Sequence, residues 1–559
     1  MKHLKSVLPM VLAAMSVTAC ATAADPLVKE DPNFVQNPII WADVPDVSVV
    51  RVGDTYYMSS TTMHLNPGVP IMMSKDLINW EIVSYCYDSL MDESLPQNTK
   101  NRLTLQNGAN EYGQGTWASC IRFHNGKFYV STFSQPTGRT YIFTSDDPKK
   151  DDWKLISKFQ SFHDHTLVFD KDGRNYMIYG GGDRRITELK SDLSGPKPGG
   201  VNQVLVTRKD TADGMGERGG NFLLEGSQMF IVNGKYYLIN IAWPGGKCRT
   251  VVCSRADNIM GPYESKTIFQ CEGIAQGGIV DTPDGKWYAV LFGDRGGAGR
   301  IPYIMPVTWK DGWPIVGEDG KKIPADFKIP NAVHKTIPTG VVTSDEFDGE
   351  VGKRKLKLQW QWNHIPDNNL WSLTERKGYL RLKTGSVVDE LQKARNILGQ
   401  RTFGPASTAE ISVDVSHMKD GDYAGLASFQ SEYGFVAVKQ ENGKKSFVMV
   451  ARNRSGVREI ASVPFDQKVV YLRVECDLSP AAGATSYSLN PGRKDTSYFY
   501  YSLDGKKWTR IGNSIRMPYS MPHFMGYRFS IFNFSTKEAG GYVDVDYYRI
   551  GNILSPESK

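Results

Sequence analysis

Between residues 47 and 295 the chain repeats one arrangement of apolar and polar positions five times. Each copy is an alternating apolar run, a two-residue turn and an aromatic run: VVRVGDTYYMSS, IRFHNGKFYVSTF, LVFDKDGRNYMIYG, MFIVNGKYYLINI and IVDTPDGKWYAVLF. Alternation with a period of two places one face of a strand inward and the other outward. Val, Ile, Tyr and Phe suit such a half-buried pleated surface. The turn pairs are Gly53-Asp54, Asn125-Gly126, Asp172-Gly173, Asn233-Gly234 and Asp284-Gly285. They match the tight primed turns of hairpins, in which both central residues need φ > 0.

The hairpins begin roughly 50 to 70 residues apart, room for a four-stranded sheet and its loops. Ser74–Trp80 (SKDLINW) and Thr144–Ser157 are expected to be outer strands of the same sheets. No segment before residue 335 keeps a 3.6-residue amphipathic period. Five similar hairpins predict a five-bladed β-propeller, since a sandwich gives no reason for five equivalent units. After the Pro-punctuated linker IPADFKIPNAVHKTIPTG, short alternating strands such as AEISVDVS, GFVAVKQ and YVDVDYYRIG predict a β-sandwich or jelly roll. The expected fold is all-β, with a leader over 1–23, a propeller over 24–335 and a sandwich over 344–559.

Composition changes this picture little. At 559 residues two domains are the natural expectation, and 40% hydrophobic with 23% charged residues is ordinary for a globular protein. The net charge of +6 is spread along the chain without a basic cluster, so no nucleic-acid partner is expected. The N-terminus carries an address: Lys2, His3 and Lys5 precede an apolar run from Val7 to Val17, too short for a permanent membrane span. Two processing sites compete, a lipobox-like Val17-Thr18-Ala19-Cys20 that would lipidate Cys20, and Ala21-Thr22-Ala23, which would release a soluble protein. Both predict export, to the periplasm or, with a lipid anchor, to the outer membrane; no transmembrane segment is expected. Six further cysteines form no CxxC pair or zinc-like cluster, leaving disulfides and buried thiols equally open.

The repeat also locates candidate chemistry. The residue eight before the turn pair is Trp117, Asp164, Glu225 and Gln276 in the second to fifth units, and Asp46 lies seven before Gly53 in the first. Equivalent positions on inner strands should face a common centre, and three of the five are carboxylates. Hydrolysis of an acetal needs one carboxyl group as acid and another as base, separated by roughly 6.5–9.5 Å where water attacks directly. A neighbouring third acid would raise the pKa of the general acid. A lone Asp near a turn more often caps backbone N–H groups; the shared offset argues against that reading here.

These residues resemble glycoside hydrolase family 43. The stretch Pro45-Asp46-Val47-Ser48 with Arg51-Val52-Gly53-Asp54 matches its first motif, His163-Asp164-His165-Thr166-Leu167-Val168-Phe169 its second, and Leu224-Glu225-Gly226 its third, with one proline missing from the first and third. The resemblance runs from about Asn37 through Gly317. It implies Asp46 as general base, Glu225 as general acid and Asp164 as the group that tunes and orients Glu225. It further suggests that one arginine of Arg295 and Arg300 contacts sugar hydroxyls, here expected to be Arg295, and it sets Gln276 where many relatives carry a histidine near a central metal; Trp117, at its place in the repeat, is expected to form a stacking wall. No catalytic metal or other cofactor is therefore expected; Ca²⁺ is the expected structural ion if one binds, with Asp345, Asp348, Asp544 and Asp546 as a second candidate site. The segment LQWQWNHIPDNNLWSLTERKGYLRL resembles the concanavalin-like C-terminal domain of the xylosidase/arabinofuranosidase branch, one loop of which often approaches the propeller mouth and favours exo-cleavage. The expected partner is a plant oligosaccharide or polysaccharide side chain, of arabinoxylan, arabinan or xyloglucan. The reaction is release of terminal α-L-arabinofuranose or β-D-xylose with inversion, with a strict β-xylosidase, an arabinan-degrading enzyme and a non-catalytic sugar-binding propeller as alternatives.

Overall fold

The computed structural model describes residues 35–558 other than 36, 218–219, 246–247, 325–326, 330–331, 333–334, 336, 485–491 and 522. The leader and Cys20 lie outside the described residues. Five four-stranded antiparallel sheets follow one another along the chain. Their first strands are Ser48–Val52, Thr116–His124, Thr166–Phe169, Leu224–Val232 and Ala275–Asp281. Each packs against the next, and the first packs against the last, which closes a ring. This is the five-bladed propeller that the repeat predicts. Arg51 fastens the ring with two hydrogen bonds to the Asp281 carboxylate, at 3.0 and 2.5 Å. The segment before the first blade runs along the third strand of the fifth: Asn37 exchanges side-chain bonds with the backbone of Ile304, and Val44 N–H donates to Arg300 O.

The turns divide by sequence. At Asn125-Gly126 and Asn233-Gly234 both residues have positive φ, as a primed turn requires. At Asp172-Gly173 and Asp284-Gly285 only the glycine does, and wider loops close through Asp170 N–H to Arg174 O and Thr282 N–H to Lys286 O. Ser74–Trp80 is not an outer strand. The third strand ends at Ser74, and Asp76 then folds the chain back by accepting from the N–H groups of Ile78 and Asn79 before the strand Glu81–Tyr87. Thr144–Ser157 likewise holds a capped turn, with the outer strand beginning at Lys154. Two α-helices that no periodicity announced, Gln97–Thr104 and Arg208–Met215, sit in the connections between blades. Each has eight residues, too few for an amphipathic period to stand out. No helix is long and apolar enough to cross a membrane among the described residues.

The C-terminal half is a sandwich of two eight-stranded sheets. One of them takes its edge strand, Leu65–Asn66, from the first blade, paired with Gln361–Asn363. Arg401 adds a buried hydrogen bond to Asp43 O at 2.7 Å. One hydrophobic cluster runs from Ile301 and Tyr303 of the fifth blade to Met517 and Tyr527 of the sandwich. The two halves therefore share a core. The six described cysteines are free thiols, four of them buried.

Candidate active site

The inner strands open on a recurring break in the regular backbone. Asp46 (φ 52°), Asp164 (φ 46°) and Gln276 (φ 55°) occupy the left-handed region, and beside Glu225 it is Gly226 (φ 64°) that does so. In the second, fourth and fifth blades the pairing slips at this point, between Thr116 and Ser119, Glu225 and Gln228, and Ala275 and Gly277. Such bulges re-aim side chains out of the strand alternation, and strained backbone of this kind gathers at functional sites. The shared offset in the sequence thus marks a break in regular backbone at the head of each inner strand, a bulge in three blades and a left-handed aspartate just ahead of the strand in the other two. It brings Asp46, Asp164 and Glu225 close enough for Asp46 and Glu225 to raise the proton affinity of Asp164.

Asp46 is almost fully buried, with a side chain 4% exposed. Arg300 Nη1 donates to its Oδ1 at 2.7 Å and the Thr61 hydroxyl to its Oδ2 at 2.5 Å. Burial pushes the carboxyl above its ordinary pKa, while Arg300 and Thr61 pull it back toward the anion. Arg300 is therefore the arginine of the site, and Arg295 is not. Arg295 is fully buried and turned into the wall, where it donates to Tyr303 Oη (2.8 Å), Asp294 O (2.7 Å) and Glu272 O (3.1 Å). The tight turn Gly296–Ala298 that it precedes reverses the chain, so Arg300, at the head of the next strand, faces the acids.

Glu225 and Asp164 meet through His163, whose part the sequence left unassigned. Its Nε2 lies 3.2 Å from Glu225 Oε2 and 3.9 Å from Asp164 Oδ1, and the three groups fall within 4.8 Å of one another. Asp164 Oδ2 also accepts from Gly226 N–H at 3.1 Å. The electrostatics differ from expectation. Burial, with the charges of Glu225 and Asp46 behind it, pushes Asp164 up to about 7. Burial would raise Glu225 too, but the hydrogen bond and charge of His163, with Arg300 and Arg184 beyond, hold it below its ordinary value. The shifts thus raise the proton affinity of Asp164 and His163 and lower that of Glu225.

Trp117 stands beside this group, its ring 6.1 Å from that of His163 and 5.0 Å from that of Phe524. Gln276 lies against the backbone next to Glu225; a Cβ on Gly226 would fall 2.7 Å from its Cγ. Two residues of the sandwich complete the site. The Tyr519 hydroxyl lies 3.2 Å from Arg300 Nε, and the guanidinium sits 4.1 Å from the centre of the Phe524 ring. No local pattern marks either residue, because their partners lie in the other domain.

Many of the donor atoms near the expected structural cation sites have partners within the protein. On the propeller axis the Arg122 guanidinium already takes the oxygens of Thr166, Leu167, Gln228 and Met229. His163 is hydrogen-bonded to Glu225, Asp164 accepts from Gly226 N–H, and the charges of Arg184 and Arg300 act on Glu225. In the sandwich Asp544 is held by Arg381 and Arg376, Asp345 by Trp360 and Lys357, and Asp348 is exposed. Of the four acids expected as a Ca²⁺ site, the buried pair Asp345 and Asp544 is thus met by cationic and N–H partners of the protein.

Residues 35–314 match the model of glycosyl hydrolases family 43, and residues 344–551 match the β-xylosidase C-terminal concanavalin A-like domain. A β-xylosidase of Formosa agariphila is 29% identical over 92% of this chain and 89% of its own. A non-reducing end α-L-arabinofuranosidase of Bacteroides ovatus is 26% identical over 83% and 84%. The solved structure of a bifunctional GH43-CE protein of Bacteroides eggerthii superposes with a TM-score of 0.86 at 51% identity over 94% of this chain, which spans 64% of that protein. Two joined matches, in the order and extent of the two folded halves, decide the family: the chain belongs to glycoside hydrolase family 43, with the concanavalin A-like C-terminal domain of its β-xylosidases.

Proposed function

We propose that the protein is an inverting, exo-acting glycosidase that releases terminal α-L-arabinofuranosyl residues, and β-D-xylosyl residues in the same pocket, from plant hemicellulose such as arabinoxylan or xyloglucan side chains. The observation that carries this reading is the division of the acids. Glu225 and Asp164 form one cluster with His163, while Asp46 stands on another blade, held by Arg300 and Thr61. Such a division supports a water between base and anomeric carbon, as inversion requires.

In this reading Asp46 takes a proton from that water as it attacks the anomeric carbon. Arg300 favours the ionised form of Asp46 against the opposing effect of burial and offsets the negative charge of the site. Glu225 protonates the leaving oxygen, and Asp164 steadies it through Gly226. Tyr519 and Phe524 close the wall beyond Arg300, which supports removal of one terminal sugar over cleavage within a chain. The relatives' names divide between xylosidase and arabinofuranosidase, and the C-terminal domain favours β-D-xylosidase as the second reading. We infer export from the leader, and neither a metal nor another cofactor takes part in these steps.

The test is turnover of nitrophenyl α-L-arabinofuranoside against nitrophenyl β-D-xyloside, with the first anomer of the product followed by NMR. Glu225→Gln and Asp46→Asn should each lower turnover by at least about a hundredfold with unchanged thermal unfolding. Near-normal turnover in either variant, or a retained anomer, overturns the reading.

A further inference from the structure

A second concave surface lies outside the catalytic pocket, where the first blade meets the beginning of the sandwich. The propeller contributes Asn66, Pro67 and Ser89, and the sandwich Asn368, Trp371 and Thr374, to a groove of about 380 Å³, a volume within the range of small-molecule sites. Trp371 is half-buried, on the short edge strand Trp371–Ser372. Its ring is fixed: Nε1 donates to Asn368 Oδ1 at 2.9 Å, and Trp362 packs against it, ring centres 5.1 Å apart. The turn before it is fixed as well. Asp367 N–H donates to Asn396 Oδ1 and Asn396 Nδ2 donates to Asp367 O, each at 2.8 Å. The indole is therefore a preset apolar plate among polar groups, and little ordering is left for a ligand to impose.

Charge and place narrow the ligand. The basic side chains of the groove are already matched: Lys355 pairs with Glu350 at 3.2 Å, Lys353 with Asp151 at 3.7 Å, and Arg354 with Asp151 at 2.7 Å and with Asp88. A phosphate or an acidic peptide would have to break these pairs, whereas a neutral ligand leaves them intact. Leu65 belongs to the hydrophobic cluster of Phe524 and Met525, against which Trp117 packs, and the next two residues line the groove. One short segment thus serves both the wall of the catalytic pocket and the groove.

We propose that this groove is a second carbohydrate site, in which Trp371 stacks on a pyranose of the polysaccharide main chain. The proposal rests on the reading of the protein as a hemicellulose glycosidase. A pyranose ring is neutral and presents C–H groups on its faces and hydroxyls on its rim. The indole covers such a face, while the Asn368 amide and the Thr374 and Ser89 hydroxyls stand where the rim needs partners. Binding here keeps the polymer at the enzyme and raises the local concentration of terminal sugars at the catalytic pocket. It acts on KM for the polymer and leaves the chemical step alone.

The experiment is affinity electrophoresis in native gels with and without soluble arabinoxylan, beside turnover of arabinoxylan and of the preferred nitrophenyl pentoside. Arabinoxylan should retard the wild type. Trp371→Ala should weaken Kd by about fivefold or more, the cost of truncating an aromatic anchor, and KM on arabinoxylan should rise to match. Its turnover of the nitrophenyl pentoside should stay within about twofold of wild type, which also shows that the site is folded. Trp371→Tyr keeps a ring and should recover most of the retardation. Thr374→Arg changes an exposed position, leaves both indoles in place and puts a long side chain into the groove. It too should weaken binding, and it decides the matter if loss of the indole disturbs folding. A wild type that arabinoxylan does not retard overturns the proposal, as does retardation of both Trp371→Ala and Thr374→Arg equal to that of the wild type. Equal losses by both variants on polymer and nitrophenyl pentoside overturn it as well. The two readings fail separately. If no nitrophenyl pentoside is turned over while retardation still depends on Trp371, the glycosidase reading fails and the groove stands; turnover with retardation independent of Trp371 and Thr374 removes only the groove.

Discussion

Arg295 and Arg300 belong to one short stretch, GDRGGAGR, yet do different work. Arg295 ties the wall together from inside, and Arg300 holds Asp46. Sequence distance could not separate them, because a tight turn between them reverses the direction in which a side chain faces. Substitution should. Arg295→Leu loses three buried hydrogen bonds and is expected to cost about 1–3 kcal/mol of stability, read as a lowered Tm with turnover per folded molecule preserved. Arg300→Lys keeps the charge but loses the fork that reaches Asp46, Asp294 and Tyr519 together. Its kcat should fall by more than about tenfold, with a much smaller change in Tm. The reverse pattern would return the site role to Arg295.

At the scale of elements, the break in regular backbone at the head of the inner strands, a bulge in three of the blades, is the device that makes a propeller mouth into a site. Gly226 shows how tight it is, with positive φ and no room for a Cβ against Gln276. Gly226→Ala is expected to destabilise by about 1 kcal/mol or more and to displace the Glu225 carboxyl, so that kcat falls while the propeller still folds. A variant with wild-type kcat would show that the bulge does not position Glu225. The hairpins themselves were legible, since Asn-Gly and Asp-Gly between alternating runs are a local code. Their two kinds of closure were not, because Asp170 and Thr282 widen their loops through hydrogen bonds that no spacing rule contains.

At the scale of the molecule, the sandwich is bound to the propeller by a shared sheet edge and a histidine cluster. His64 of the first blade lies 5.0 Å from His364 and 5.6 Å from His523, ring to ring, and its Nε2 is 2.8 Å from Asn363 Oδ1. Burial lowers all three, His364 to about 3 and His523 to about 4, and for His64 the charges of the other two add to it. These groups are neutral in the fold but take up protons when unfolded, at about pH 6.5. Their contribution is therefore complete above that value and is lost as pH falls toward about 3 to 4. The Tm should drop steeply below about pH 6, and His364→Gln should flatten that drop. An acid dependence identical to that of the wild type would place the sensitivity elsewhere.

The sequence by itself determined the five hairpins, the all-β class, the change of pattern that begins the second half, and the places of Asp46, Asp164 and Glu225. These are encoded by neighbours: alternation, turn residues and a constant offset are properties of a few adjacent positions. Only the tertiary structure decided that Arg300 and not Arg295 meets the acids, that His163 lies between Glu225 and Asp164, that Asp345 and Asp544 pair with Lys and Arg, and that Tyr519 and Phe524 finish the pocket. Each of these is a contact between residues far apart in the chain, or a choice of side-chain direction made by a bulge or a turn. Contacts made in the fold then shift the acids: burial raises Asp164, while His163, bonded to Glu225, holds Glu225 below its ordinary pKa against burial.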